Sequence, residues 1–257
     1  LVDQNVLVSF ADIRNSTLWR SIMSSVGSGH FASTVLDSGA FSALRRGTKI
    51  DLAEYMDFLA EFGHLFRWYA ALDVIDDWRA SEKNYDAMLS RNCSPVPVFH
   101  QGEPRELLLK YREEALSVTG AWEMPRIALG FQRPVKNPRE WLDSLDDDLW
   151  TGNNNDCTAA VHGFAMTSYV DQYPFESVDS TTWISELRAL KSVRAPHCCL
   201  GQAATVIRHT PDSELVEMVI KSWERRFRGN TMSEEDYAIS SNAQGDLFKG
   251  GAGRGDD

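Results

Sequence analysis

STVLDSGAF at positions 33–41 is the clearest strand signal of the sequence, because an apolar run of strand length ends there in an aspartate and a glycine-containing turn. A helical pattern follows it. Asp51 is placed to cap a helix, Glu54 lies three residues further on, and apolar residues recur at helical spacing up to residue 66. WYAALD at positions 68–73 is again an apolar run that ends in an aspartate. Strand, helix and strand in this order predict one parallel βαβ unit.

Apolar runs of strand length alternate with helical patterns on both sides of this unit. The runs occupy residues 6–10, 33–36, 68–72, 95–99, 126–129, 158–161 and 175–178, with an eighth at 193–200. Helical patterns begin near Pro104, Pro138 and Pro211, and proline suits a first helical position. The alternation predicts an α/β protein with a single (β/α)8 TIM-like barrel that is irregular at its C-terminal end. An open doubly wound sheet is the alternative.

The length of 257 residues is typical of one such barrel. We expect residues 1–232 to form the barrel and to carry the active site. Residues 233–257 end in GGAGRGDD and are expected to form a flexible tail.

Charge and cysteine usage limit the partners and the compartment. The formal net charge of −11 argues against a broad phosphate-binding face, although it leaves room for a local basic patch. The four cysteines show no disulfide framework, so we expect reduced thiols in a cytoplasm-like compartment. No apolar run reaches the roughly 18 residues of a membrane span and no leader pattern opens the sequence, so no membrane partner is expected. Cys198, Cys199 and His209 fit no familiar zinc spacing, and we predict neither a metal nor a cofactor.

Polar residues or glycines follow six successive predicted strands. They are Asp37 after the second run, Asp73 after the third, His100, Gln101 and Gly102 after the fourth, Gly130 after the fifth, His162 and Gly163 after the sixth, and Asp179 after the seventh. One such aspartate is ordinarily a helix cap, but six consecutive strand ends are harder to explain by capping. In a barrel these residues would meet at the carboxyl-terminal rim, where barrel active sites lie.

In order and spacing, these motifs resemble the tRNA-guanine transglycosylase superfamily, and in particular its short phage-type and DNA-modifying relatives, which insert 7-deazaguanines. The resemblance extends from about residue 6 to residue 183. DSGAF at 37–41 is similar to a DSGGF-like motif, HQG at 100–102 to a VQGG-like motif, and ALG at 128–130 to a glycine-rich base-contacting loop. The family's C-terminal zinc motif is missing, and Phe131 stands where a second glycine is usual.

The resemblance implies a pentosyltransferase that exchanges a base in nucleic acid for a 7-deazaguanine derivative through a covalent glycosyl-aspartate. It makes Asp179 the nucleophile and Asp37 the general acid and base. The implied substrate-binding residues are Ser38, Gly39, Phe41, Asp73, His100, Gln101, Gly102, Gly130 and His162. Asp73 would accept hydrogen bonds from the N1–H and NH2 groups of a guanine-like base, and Phe41 or Phe164 could stack on the ring.

Several alternatives stay open from the sequence. DNA is slightly favoured over tRNA as the polymer, because of the phage-like pattern and the missing zinc motif. The acidic charge favours a second reading, a barrel enzyme acting on a free nucleoside or sugar. A third is a non-catalytic transglycosylase-like subunit of a larger complex, and a homo-oligomer is also open. The resemblance places the protein in the cytoplasm of a bacterium or of a phage-infected host cell.

Overall fold

The computed structural model describes residues 5–14, 23–24, 26–28, 31, 33–119, 124–131, 136–150 and 158–179. Strands and helices alternate along this part of the chain. The strands are β1 (Asn5–Ser9), β2 (Ser33–Asp37), β3 (Trp68–Tyr69), β4 (Val98–His100), β5 (Arg126–Gly130), β6 (Ala160–Gly163) and β7 (Ser177–Val178). The helices are α1 (Phe10–Ile13), α2 (Ala40–Arg45), α3 (Leu52–Phe62), α4 (Trp78–Ser90), α5 (Arg105–Thr119), α6 (Pro138–Asp143) and α7 (Asp146–Leu149), with 3₁₀ turns at Gly63–Leu65 and Thr167–Tyr169.

Every described strand pair is parallel, and neighbours in the sheet are neighbours in the sequence. One sheet has the order β1-β2-β3 and the other has the order β4-β5-β6-β7. A parallel bridge between Ala70 and Val96 links the two sheets at β3 and β4. The predicted α/β class with parallel sheets is therefore confirmed, while closure of the strands into a barrel stays a prediction.

Local sequence explains where the helices start. The Asp51 side chain accepts a hydrogen bond of 3.0 Å from the Glu54 N–H, which confirms the predicted cap of α3. Pro138 occupies the first turn of α6, as its fixed φ angle favours. The side chain of Asp77 caps α4 in the same way as Asp51.

One face of the sheets carries a shared apolar cluster. Its buried members are Trp68, Ala70, Val96, Val98 and Ala128, and Val35 and Phe164 pack against them. These residues come from β2, β3, β4 and β5 and their ends, and from the turn after β6. The Trp68 and His162 rings lie 4.9 Å apart although two strands separate β3 from β6 in the linked order. The linked strands therefore curve around this inner face.

The opposite face of the strands packs against helices. Phe99 of β4 stacks on Trp141 of α6 with 6.4 Å between ring centroids. The buried Tyr55 of α3 donates a 2.8 Å hydrogen bond to the carbonyl of Ala70. Because successive side chains of a strand point to opposite faces, strands with an inner cluster and an outer helical layer are apolar on both sides.

The structure corrects the predicted strand ends. The apolar runs placed Asp37, His100, Gly130, His162 and Gly163 after their strands, whereas each lies within a strand, in its last one or two residues. The physical reason is that a polar side chain at the open end of a strand need not be buried between layers, so apolar character ends before the hydrogen-bonded ladder does. The ladder extends to Asp37 because Ser9 pairs with it in register.

The chain divides into two compact units. The first comprises Leu1–Thr167 and Tyr173–Asp179, and it contains the seven strands of the described residues and every predicted site residue. The second comprises Ser168–Gln172 and Ser180–Asp257, and within it the Gln172 N–H donates to the Tyr169 carbonyl. The predicted eighth strand at 193–200, the helix after Pro211 and the tail at 233–257 lie outside the described residues. The predicted domain bounds of 1–232 and 233–257 therefore stay predictions.

Candidate active site

The strand ends bring the predicted site residues onto the inner face. Residues two positions apart on a strand share a face, so Asp37 lies on the face of Val35 in β2, His100 on that of Val98 in β4, and Gly130 on that of Ala128 in β5. Val35, Val98 and Ala128 all belong to the inner cluster. His162 of β6 contacts Trp68 of the same cluster. Since the strands are parallel, their carboxyl ends lie at one edge of the sheets, and the polar side chains gather there.

Asp37 has an environment that opposes its ionisation. Burial, the charge of Asp73 and the charge of Asp179 raise the pKa of Asp37 from 3.8 to about 7, and a hydrogen bond from the Gly39 N–H only partly offsets them. Some surface of the residue stays open to solvent. Protonated and ionised forms of the Asp37 carboxyl are therefore both populated near neutral pH, as a group that acts first as an acid and then as a base requires.

The influence of Asp179 on Asp37 shows that the two carboxyls, 142 positions apart in sequence, lie within electrostatic range. Asp73 acts on Asp37 in the same way and more strongly. The structure thus brings Asp37, Asp73 and Asp179 together. Such a group of carboxylates is costly to assemble unless the site uses or pairs them.

Asp73 is held by two neighbours. The buried Ser38 hydroxyl donates to Asp73 Oδ1 at 3.1 Å, and His100 Nε2 lies 3.4 Å from Asp73 Oδ2. On its other side, His100 Nδ1 lies 3.3 Å from Glu103 Oε1, and the His100 N–H donates to Glu103 Oε2 at 2.9 Å. Burial alone would lower the pKa of His100, but hydrogen bonds to Asp73 and Glu103 raise it to about 10. His100 is therefore an imidazolium between two carboxylates.

Gly130 allows this arrangement because its backbone lies against the imidazole. A Cβ at position 130 would stand 2.5 Å from His100 Cδ2, which is closer than real Cβ contacts. The Gly130 carbonyl also accepts a 3.1 Å hydrogen bond from the Gln101 N–H. Position 130 therefore needs a glycine, because the end of β5 lies too close to His100 at the end of β4 for a side chain to fit.

We expect His100→Gln to destabilise the protein at pH 7 by about 3 kcal/mol, because it leaves Asp73 and Glu103 without their cation. Folding raises the pKa of His100 from 6.5 to about 10. Its contribution to the free energy of unfolding is therefore complete below about pH 6.5 and is lost as pH rises through about 10. The difference in free energy of unfolding between wild type and variant should therefore shrink from pH 7 to pH 10, as measured by urea denaturation. His64→Gln, at an exposed position, is the control. A difference that does not change with pH would contradict the ion-pair account.

Asp179 follows β7 directly. Its Oδ1 accepts a 2.8 Å hydrogen bond from the Ala165 N–H, and its own N–H donates to the Gly163 carbonyl at 3.3 Å. Its side chain is 18% exposed, so the carboxylate is partly open to a substrate. The neighbouring His162 is buried, with Nδ1 at 2.8 Å from the Ser177 hydroxyl.

The remaining predicted residues have varied placements. Gln101 does not point its amide towards Asp73, since that amide is hydrogen-bonded to the backbone of Lys136. Gly102 is exposed and has a φ of +92°, in the turn that carries Glu103 back to His100. Phe41 is 40% exposed and lies in the first turn of α2, the helix that starts after its N-cap residue Gly39.

The sequence did not single out four polar residues near the site. Glu103 holds His100, Ser177 holds His162, and the Ser9 hydroxyl is buried beside Gly39. Burial and the charge of Asp37 raise the pKa of Tyr55, which places its hydroxyl near the carboxylates from the helix side. Only Glu103 had a usable signal, because it follows the HQG motif directly.

Gly39 fixes the turn after Asp37. It has a φ of +77°, and a Cβ there would lie 2.5 Å from Ala11 Cβ and closer still to Ser9 Oγ. We expect Gly39→Ala to lower the free energy of unfolding by about 2–4 kcal/mol, from backbone strain and overpacking together. Gly47→Ala is a matched control, because Gly47 has a φ of +68° and nothing within 4 Å of its Cβ position. Equal losses in the two variants, measured by urea denaturation, would contradict a close approach at Gly39.

The described ranges contain neither a metal-binding cluster nor a membrane-spanning helix. No group of three His, Cys, Asp or Glu residues there is arranged to hold a metal ion. No helix of the described part combines the length and the apolar character that crossing a membrane needs. Cys93 is a free thiol, whereas Cys198, Cys199 and His209 lie outside the description.

Comparisons of the chain with protein-family models, curated proteins and solved structures each find no match.

Proposed function

We propose that the protein is a base-exchanging pentosyltransferase of the tRNA-guanine transglycosylase kind, which inserts a 7-deazaguanine derivative into nucleic acid. The observation that carries the proposal is that Asp37 is buried within electrostatic range of Asp73 and Asp179, which together raise its pKa to about 7. Double displacement at a sugar carbon needs one carboxylate as nucleophile and another as acid and base. The sequence resemblance gives Asp179 and Asp37 those two roles.

The first displacement removes the old base. An oxygen of Asp179 attacks C1′ of the nucleotide, and the bond between C1′ and the guanine nitrogen breaks. The electron pair leaves with the guanine, which takes the proton from Asp37. Because the pKa of Asp37 is about 7, a protonated carboxyl is available for this step at neutral pH.

The second displacement attaches the new base. Asp37, now a carboxylate, accepts the proton from the ring nitrogen of the incoming base. That nitrogen attacks C1′, the bond between C1′ and Asp179 breaks, and its electron pair returns to the Asp179 carboxylate. Asp37 is thereby protonated again, so the cycle is balanced.

Asp73 is suited to hold the exchanging base. Its carboxylate is oriented by Ser38 and His100, and a guanine-like base offers two neighbouring donors that a fixed carboxylate accepts well. The exposed backbone at Gly102 would accommodate the other edge of the base, whereas the backbone at Gly130 already lies against the imidazole of His100 and would contribute by fixing that ring. The Gln101 amide would contribute only if it left the Lys136 backbone, so we assign it a secondary role.

A closed (β/α)8 barrel would place these groups around one rim. The sequential order of β1 to β7 and the curvature that joins Trp68 to His162 support this architecture.

DNA is the polymer that we favour, with tRNA as the second choice. The net charge of −11 favours one other candidate, a barrel enzyme that acts on a free nucleoside or sugar. The two candidates share the same carboxylate chemistry and differ in the size of the substrate.

The test uses labelled guanine with tRNA, duplex DNA, single-stranded DNA and guanosine in separate reactions. Label that enters DNA or tRNA would support base exchange in nucleic acid and would identify the polymer. Exchange with guanosine alone would select the small-substrate candidate. No exchange with any of the four, while the protein still binds guanine, would indicate a non-catalytic subunit and contradict the proposal.

A further inference from the structure

His162 occupies a position that the two-step mechanism does not use. It lies on β6, its side chain is 3% exposed, and two aromatic rings enclose it, Trp68 at 4.9 Å and Phe164 at 4.7 Å between centroids. A ring packed in this way has a fixed orientation. Both of its nitrogens therefore point in directions that the fold determines.

The register of the sheet determines what those nitrogens meet. His162 pairs with Ser177 and Gly163 pairs with Val178, so Asp179 is the first residue after β7. His162 Nδ1 lies 2.8 Å from the Ser177 hydroxyl, and His162 Nε2 lies 3.6 Å from Asp179 Oδ1. Nε2 is buried and has no hydrogen-bond partner among the residues that the structure describes.

A buried ring nitrogen without a partner is costly, and the Asp179 carboxylate is an acceptor that lies close to His162 Nε2. If the Ser177 hydroxyl donates to Nδ1, the proton of the imidazole resides on Nε2 and faces Asp179. Hydrogen bonds in an active site without substrate are often long and shorten when the substrate binds. The 3.6 Å between His162 Nε2 and Asp179 Oδ1 is too long for a hydrogen bond in this state, and a small shift on substrate binding would close it.

We propose that His162 is a positioning residue that donates its Nε2–H to Asp179 Oδ1 and thereby makes Oδ2 the oxygen that bonds to C1′. This inference rests on the proposed function, in which Asp179 is the nucleophile. Oδ1 already accepts the Ala165 N–H at 2.8 Å, so two donors would fix one oxygen and leave the other for the sugar. No proton moves to or from His162 in either displacement.

The same contact assists the second displacement. When the incoming base attacks C1′, the bond to Oδ2 breaks and negative charge returns to the Asp179 carboxylate. Donors that are already aimed at Oδ1 stabilise this charge without rearrangement. Ser177 acts one step further away, since it selects the imidazole nitrogen that carries the proton.

The first test needs no activity. In protein labelled with ¹⁵N-histidine, the His162 resonances are identified by their loss in His162→Gln. We expect Nε2 to carry a proton, Asp179→Asn to move the Nε2 resonance more than that of Nδ1, and Ser177→Ala to move Nδ1 more. An Nε2 without a proton, or one that does not respond to Asp179→Asn, would overturn the inference.

The second test compares two amides of different reach. The amide of His162→Gln reaches the place of Nε2, whereas the amide of His162→Asn reaches only the place of Nδ1. With the polymer that accepts label, we expect His162→Asn to lower kcat for exchange by about 100-fold with KM little changed, because the nucleophile is misaligned. His162→Gln should recover about tenfold of this loss, the worth of one hydrogen bond.

Equal rates in the two amide variants would overturn the positioning role, and equal unfolding midpoints show that both are folded. Wild-type protein that shows the spectroscopic contact but exchanges no base with any substrate would refute the proposed function instead. The two failures are therefore distinguishable.

Discussion

Asp179→Asn is expected to abolish base exchange, with a loss of at least about 10⁴-fold, because an amide oxygen cannot form the glycosyl bond that the mechanism requires. The fold should be retained, since the asparagine oxygen still accepts the hydrogen bond that the Ala165 N–H gives to Oδ1. Incorporation of labelled guanine into DNA or tRNA is the measurement.

The matched control for this variant is Asp57→Asn, which removes the same charge from an exposed position on α3. It should leave the rate of incorporation unchanged. Exchange at a wild-type rate in Asp179→Asn, or an equal loss in Asp57→Asn, would contradict the assignment of the nucleophile.

Asp37→Asn is expected to lose about 10²–10⁴-fold in rate while the protein becomes more stable above pH 7. The loss follows because asparagine neither gives nor takes the proton of the base. The gain follows because the pKa of Asp37 rises from 3.8 to about 7 on folding, so the folded state carries a carboxylate that burial and its acidic neighbours oppose.

The sign of the stability effect follows from linkage. The folded protein binds more protons at Asp37 than the unfolded chain between pH 4 and pH 7, so this group makes the wild type less stable as pH rises through that range. At pH 8 the variant should gain about 2 kcal/mol in free energy of unfolding, a value reduced for partial exposure to solvent. At pH 4 the two proteins should be nearly equal. Urea denaturation at both pH values is the measurement, and a less stable variant at pH 8 would contradict the account.

The sequence predicts the fold class because alternation is a property of short segments. Apolar runs and capping residues such as Asp51 report local structure directly, and the parallel sheets and the start of α3 agree with them. The predicted end of β6 before His162 was wrong, because hydrogen bonding between strands, rather than apolar character, determines where a ladder stops. Closure of the strands into a barrel stays a prediction.

The sequence predicts which residues gather at the strand ends better than it predicts the contacts that those residues make. Parallel strand ends must meet at one edge, so Asp37, Asp73 and Asp179 could be grouped without coordinates. The contacts of His100 with Glu103 and of His162 with Ser177 could not be predicted, since they depend on a tight turn and on the pairing register of β6 with β7. Gln101 is predicted to bind the substrate, and in the structure its amide is hydrogen-bonded to the backbone of Lys136.

The central claim is that the Asp179 carboxylate bonds covalently to a sugar carbon of a nucleic acid. The most direct measurement is mass spectrometry of the protein after it is incubated with DNA or tRNA, denatured in acid and digested with nuclease and protease. The account predicts the mass of a base-free sugar phosphate on the peptide that contains Asp179, absent from the Asp179→Asn variant and removed when the incoming base is added before denaturation. Base exchange without any adduct, or an adduct on another residue, would contradict it.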